Sequence, residues 1–253
     1  MIWKIMRDEN LGCNSYLLGD EVSGHGMVVD ALGTLGAAEY ILTAQDLGIS
    51  IDHVVETHIH ADHESSAMEL AKGLGVPVSF GHNANVNFEF EPLKEGQKIS
   101  LGSVEVEIME TPGHTPESIS LVVRDSQRGE DPMLVMSGDS LFVGDVGRPD
   151  LQDAGIEETM KASRQQYGSV RKILGLPDFT ELYPAHYGAS KCGGLFMSKK
   201  PSSTVGFEKK YNFLANIPDE DEFVERQMKL LKPPPEEARA IRSVNIGKEI
   251  EVN

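Results

Sequence analysis

Between Thr57 and His63 the chain reads T-H-I-H-A-D-H, so four metal-competent side chains, His58, His60, Asp62 and His63, fall within six residues. The apolar run from His53 to Glu56 leads directly into them and reads as a buried strand. Ala67, Leu70, Ala71 and Leu74 follow at helical spacing, with Ser65 or Ser66 placed to cap that helix. Layered α/β proteins present their functional groups at strand ends of this kind. In an extended segment residues i and i+2 point the same way, so His58 and His60 can aim two imidazoles at one ion. Asp62 and His63, where the chain turns, can offer a second pair to the same cavity. A lone histidine is more often a surface or hydrogen-bonded residue; four ligand types at one strand–helix junction reverse that preference.

The rest of the chain fits the same architecture. Asn14–Gly19 and Gly26–Asp30 are short apolar runs separated by turn residues, and Ala37, Ala38, Ile41, Leu42 and Leu47 approximate helical spacing before Gly48. A β-rich block runs from Val76 to Val123, and Pro132–Met136 reads as another buried strand. Ile156, Met160, Tyr167, Val170 and Leu174 mark an amphipathic helix, and Glu181–His186 a last short strand with its loop. The order predicts a four-layer αββα sandwich, two sheets flanked by helices. Residues 1–215 are expected to form the catalytic domain. Residues 216–253, acidic and then proline-rich at Lys232–Glu237, read as an arm or truncated linker and not a separate domain.

Forty acidic against 23 basic side chains give a net charge of −17, which argues against nucleic-acid or anionic-membrane partners. No apolar run approaches the roughly 20 residues of a membrane span. The opening MIWKIMRDEN lacks an apolar core with a cleavage site. Cys13 and Cys192 are too few for a disulfide framework. Together these predict a cytoplasmic protein.

Three further candidate ligands end predicted strands. In T-P-G-H-T, Pro112 and Gly113 make a tight turn that fixes His114. In S-G-D-S, Gly138 permits close backbone approach beside Asp139; alone, that aspartate reads as a turn or N-cap residue. Y-P-A-H places His186 at the last strand end.

The motifs T-H-x-H-A-D-H, T-P-G-H-T, G-D-S-L-F and Y-P-A-H together resemble the metallo-β-lactamase superfamily over roughly residues 1–215, with all seven metal-facing positions occupied. Gly144–Leu151 with His114–Ser118 looks like the persulfide dioxygenases, most of all the metallo-β-lactamase half of bacterial rhodanese fusions, as do Tyr183–Gly193 and Ser203–Asn212. That resemblance implies one Fe(II) per chain on His58, His114 and Asp139, with His60, Asp62, His63 and His186 in support. It implies oxidation of a small thiol persulfide by O2 to sulfite and free thiol. Arg148, Tyr187 and Cys192 are the implied substrate-side residues, Arg148 against an anionic group and Cys192 as a thiol near the iron. Their ordinary alternatives are a surface ion pair for Arg148 and a small loop residue for Cys192. The chain stops at Asn253, so a rhodanese-type sulfurtransferase is expected as a separate partner or not at all, and relatives imply a homo-oligomer.

The alternative is a glyoxalase II-like thioester hydrolase with a binuclear zinc or zinc/iron centre on all seven residues. Its basic C-terminal glutathione-binding region has no counterpart in this acidic tail. A binding or sensing protein without turnover is disfavoured by the intact ligand set. A flavo-diiron protein would need an acidic residue in place of His60.

Overall fold

The computed structural model describes residues 1–151, 155–188, 190, 192–233 and 235–248. Strands β1 (Ile2–Asp8), β2 (Cys13–Gly19) and β3 (His25–Val29) open the chain, followed by α1 (Ala37–Asp46), β4 (Ser50–Val55) and α2 (Ala67–Leu74). Next come β5 (Val78–Gly81), β6 (Glu91–Leu93), β7 (Lys98–Ser100), β8 (Val104–Glu110), β9 (Ile119–Asp125) and β10 (Leu134–Gly138). The remainder is α3 (Ile156–Leu174), β11 (Glu181–Pro184), β12 (Ser203–Thr204), α4 (Val205–Tyr211), α5 (Glu220–Leu230) and α6 (Ala238–Asn245). Two six-stranded sheets result, ordered β1-β2-β3-β4-β5-β6 and β12-β11-β10-β9-β8-β7.

The two-residue period of the strands sorts their side chains into three apolar layers. Leu17, Val28 and Val54 point out of the first sheet against Tyr40, Ala44 and Leu70 of α1 and α2. Their neighbours Tyr16, Leu18, Met27, Val29 and Val55 point inward, against Val106, Ile108, Leu121, Val123, Leu134 and Met136 of the second sheet. Val122, Val135 and Leu182 then face outward, against Val170 and Ile173 of α3. This is the expected αββα sandwich.

The chain after Ala215 departs from the arm read in its composition. Asp219 caps α5 by accepting from the Glu222 N–H, and Phe223 and Val224 bury themselves in the layer against α3. Helix α6 folds back onto the first sheet, where the Ile246 carbonyl accepts from the Asn87 N–H. Acidic composition describes the outer face of α5 and hid its apolar inner one. Residues 234 and 249–253 of this extension lie outside the described residues. Among the described residues no helix is long and apolar enough to cross a membrane.

The sheets are stitched together at one end. Asn14 Nδ2 and the Tyr16 hydroxyl both donate to the Pro184 carbonyl, and the Asn14 N–H donates to the Ala185 carbonyl. The strand ends that carry the histidines meet at this seam.

Candidate metal centre

The first ligand segment is set by Asp30, which directly follows β3 with a left-handed backbone (φ 55°) unusual for a residue with a Cβ. Its carboxylate accepts from the Thr57 N–H at 2.7 Å and the Thr57 hydroxyl at 3.0 Å. Thr57 Oγ1 in turn lies 3.0 Å from His58 Nδ1, which leaves Nε2 facing the seam. Gly138 makes room for Thr57: a Cβ there would lie 2.7 Å from Thr57 Oγ1.

His58 and His60 sit side by side, ring centroids 4.2 Å apart. His60 Nε2 lies 3.3 Å from both Asp30 and Glu56, behind the seam. Two buried carboxylates hold this ring through Nε2, while its Nδ1 is buried with no hydrogen-bond partner, so the i and i+2 expectation of two imidazoles serving one ion still stands.

One convergent group is His58, His114 and Asp139, whose donor atoms all lie within 4.8 Å of one another. His58 Nε2 is 3.6 Å and His114 Nε2 3.3 Å from Asp139 Oδ2. All three atoms are buried and have no hydrogen-bond partner. Three orphaned, converging donors are costly in an empty protein interior and suit a metal ion. Burial, reinforced by His60, pushes His58 well below the ordinary histidine range, and burial also pushes His114 down against the pull of Asp139. Both rings are thus neutral near pH 7, the form that ligates. Asp139, despite burial, is held far below the usual carboxylate range by His186 and His58.

Asp62, His63, His186 and Cys13 form a second group. Here the donors are spent largely on each other. His186 Nδ1 lies 2.6 Å from Asp139 Oδ1 and its Nε2 2.8 Å from Asp62, while His63 Nδ1 lies 3.0 Å from Asp62. Burial opposes charge on both rings, but hydrogen bonding to Asp62 raises His63 to about 10, and Asp139 with Asp62 raises His186 well above the ordinary value. Cys13 Sγ stands 3.9 Å from both Asp62 and His63.

Of the implied substrate-side residues, Arg148 and the Cys192 loop flank one cavity of about 530 Å³. Arg148, Ser190, Gly193 and Gly194 line it, and Leu230–Pro233 with Glu236 and Glu237 form the facing wall. Arg148 holds Asp150 through two hydrogen bonds of 2.7 and 2.8 Å and also donates to the Lys232 carbonyl, so its charge is already paired. Buried Cys192 has its thiol within 4.8 Å of Asp139 and His186 donors, and burial with Asp62 and Asp139 nearby raises its pKa well above the usual thiol value. Tyr187 is half-buried beside Gly12, to whose carbonyl its N–H donates, and is not among the residues lining this cavity.

Sequence reading missed Cys13, Asp30, Glu56 and Glu117 at this site. Asp30 and Glu56 carried a signal, being acidic residues at the ends of apolar strand runs. Glu117 accepts from the Ile59 N–H at 3.0 Å, a backbone contact that no motif announces.

Residues 8–186 match the model of the metallo-beta-lactamase superfamily, and the chain belongs to that superfamily. It is 30% identical over 203 residues to a probable metallo-hydrolase of Burkholderia pseudomallei, covering 68% of this chain and 67% of that protein. It is 31% identical over 176 residues to the mitochondrial persulfide dioxygenase ETHE1 of Bos taurus, covering 68% of this chain and 63% of that one. A crystal structure of a metallo-beta-lactamase from Staphylococcus aureus superposes with a TM-score of 0.88 at 30% identity, over 100% of this chain and 74% of that one. The chain thus spans about two thirds of the length of these two curated relatives.

Proposed function

We propose that the protein is a persulfide dioxygenase working with one iron ion on His58, His114 and Asp139. The division of the seven ligand-type side chains carries this reading. The orphaned donors of His58, His114 and Asp139 converge, whereas each of His60, His63 and His186 spends one ring nitrogen on a buried carboxylate. Two imidazoles and one carboxylate are the donor set of oxygen-activating iron enzymes, and such an ion supplies the redox chemistry and the O2 site. Likeness to the ETHE1 dioxygenase of Bos taurus supports the same reading.

The chain's own residues position and shield. Thr57 and the Arg148 carbonyl fix the His58 and His114 rings, and His186 holds its Nδ1 proton against Asp139. The cavity bounded by Arg148, Ser190 and Leu230–Pro233 takes the thiol carrier, beside the loop in which the Cys192 N–H donates to Ser190 Oγ. The overall change is balanced: RSSH, O2 and water give RSH, sulfite and two protons. The sulfur–sulfur bond breaks and the outer sulfur gives four electrons to O2. A rhodanese-type sulfurtransferase as separate partner, a homo-oligomeric state and a cytoplasmic setting belong to the same proposal.

One observation favours the hydrolase alternative: His60 Nδ1, His63 Nε2 and His186 Nε2 are also buried without hydrogen-bond partners, as a binuclear centre would require. Anaerobic purification, iron and zinc analysis, and O2 uptake with glutathione persulfide separate the two. About one iron per chain with persulfide-dependent uptake supports the proposal. Zinc occupancy with thioester hydrolysis and no O2 uptake overturns it.

A further inference from the structure

Helix α6 meets the ligand loop through two residues three apart, Arg242 and Asn245, which share one helix face. Asn245 is buried at 7% exposure, and its side chain spends all its main hydrogen-bonding capacity on the loop backbone. Nδ2 donates to the His60 carbonyl and the His63 carbonyl, each at 2.9 Å, and Oδ1 accepts from the Ser65 N–H at 2.9 Å. Arg242 Nη1 stands 3.9 Å from Glu117 Oε1, the same oxygen that accepts from the Ile59 N–H. The backbone is thereby held at residues 59, 60, 63 and 65, from the far end of the chain.

We infer that Asn245 is a positioning residue for the metal centre, and that α6 is the clamp that fixes the His58–His63 loop in its ligating conformation. A loop between strand and helix has no ladder to hold its carbonyls. Without Asn245 two buried carbonyls and one N–H lose their partners, and the loop must either rearrange or admit water. Arg242 acts one bond further out, neutralising the carboxylate that holds the amide between His58 and His60. α6 is itself anchored at its C-terminal end, through the Ile246 carbonyl on Asn87 and the Ile246 side chain in the outer layer of the first sheet. The clamp acts on the loop whichever metal occupies it, so it stands apart from the dioxygenase reading.

The test uses Zn²⁺ as probe and the full chain. Asn245→Ala is compared with Ser243→Ala, whose hydroxyl bonds only within α6, to the Arg239 carbonyl. Loss of a group that orients metal ligands typically weakens metal binding by about ten- to a hundredfold. Zn²⁺ affinity measured by competition with a chelating dye should fall by that factor in Asn245→Ala and stay at the wild-type value in Ser243→Ala. A merely structural role would lower the melting temperature of metal-free and zinc-loaded protein alike and leave affinity unchanged; that result overturns the inference. Should Asn245→Ala fail to fold, hydrogen exchange on the wild-type protein decides. The Ser65 amide should exchange in step with the α6 amides, and free exchange at Ser65 while α6 stays protected overturns it.

Discussion

His114 donates its Nδ1–H to the backbone carbonyl of Arg148 across 2.8 Å. That bond fixes the tautomer and leaves the Nε2 lone pair for a metal. It also splits the roles of two adjacent residues. A Cβ on Gly147 would lie 1.8 Å from the Asp139 carbonyl oxygen and 3.2 Å from His114 Cβ, so no side chain fits there. Gly147→Ala should displace both ligands and reduce bound metal to well under half of the wild-type content, measured by elemental analysis. Arg148→Ala keeps its carbonyl and should keep its metal. Losing the guanidinium at the cavity wall should instead raise KM by up to about tenfold, the equivalent of roughly 1.4 kcal/mol, with kcat unchanged.

Metal binding at three orphaned donors adds to folding stability, because the unfolded chain offers no assembled site. With free metal at a hundred times its dissociation constant the gain is about 2.7 kcal/mol. For a chain of this size that corresponds to roughly 5–11 °C, so adding excess chelator should lower Tm by that amount in a thermal scan. An unchanged Tm would mean that the centre holds no metal under those conditions.

Cys192 is buried and its thiol pKa is raised, so near pH 7 it is a neutral thiol and a poor nucleophile. Iodoacetamide should leave it unlabelled in the native protein at neutral pH and label it readily once unfolded. Cys192→Ala should keep turnover of small persulfides within a few-fold, placing the thiol as a wall of the sulfur site. Loss of turnover by a factor of about a hundred would make it an obligatory sulfur relay.

Asp20 joins the turn after β2 to the β7–β8 turn, accepting from the Ser103 N–H at 3.2 Å and the Ser103 hydroxyl at 3.0 Å. Although desolvation opposes it, these bonds and that from Ser23 lower its pKa to about 2. Because the folded value is depressed, the stabilisation is complete above the unfolded aspartate value of about 3.9. It disappears as pH falls through about 2. Asp20→Asn should therefore lower Tm at pH 7, and the difference from wild type should narrow between about pH 4 and pH 2. A difference that is constant with pH would assign the loss to packing.

The layers and most of the centre were legible because each strand run is short, apolar and ends at a motif residue. His58, His114, Asp139 and His186 all stand at such ends. Strand β1 was not legible: only Met6 is fully buried, and the remaining residues show little alternation. Helix α5 carried a readable cap in Asp219 and an apolar pair in Phe223 and Val224, masked by the surrounding acidic residues. The hold on the His60 ring comes from Asp30 and Glu56, and the clamp at Asn245 acts on backbone atoms more than 180 residues away. Contacts of that kind leave no local pattern, since the loop supplies only carbonyls and an amide that every residue has.

The bonds between Asn245 and the His60–Ser65 backbone also have a consequence during synthesis. The loop leaves the ribosome 182 residues before the side chain that holds His63. At 5–20 residues per second that interval is on the order of ten seconds or more. During it, the four ligand-type side chains of the loop exist without the last helix that sets their backbone. The nascent chain is therefore a poorer competitor for cellular metal than the finished protein, and loading is biased toward the time when the last helix has closed over the loop.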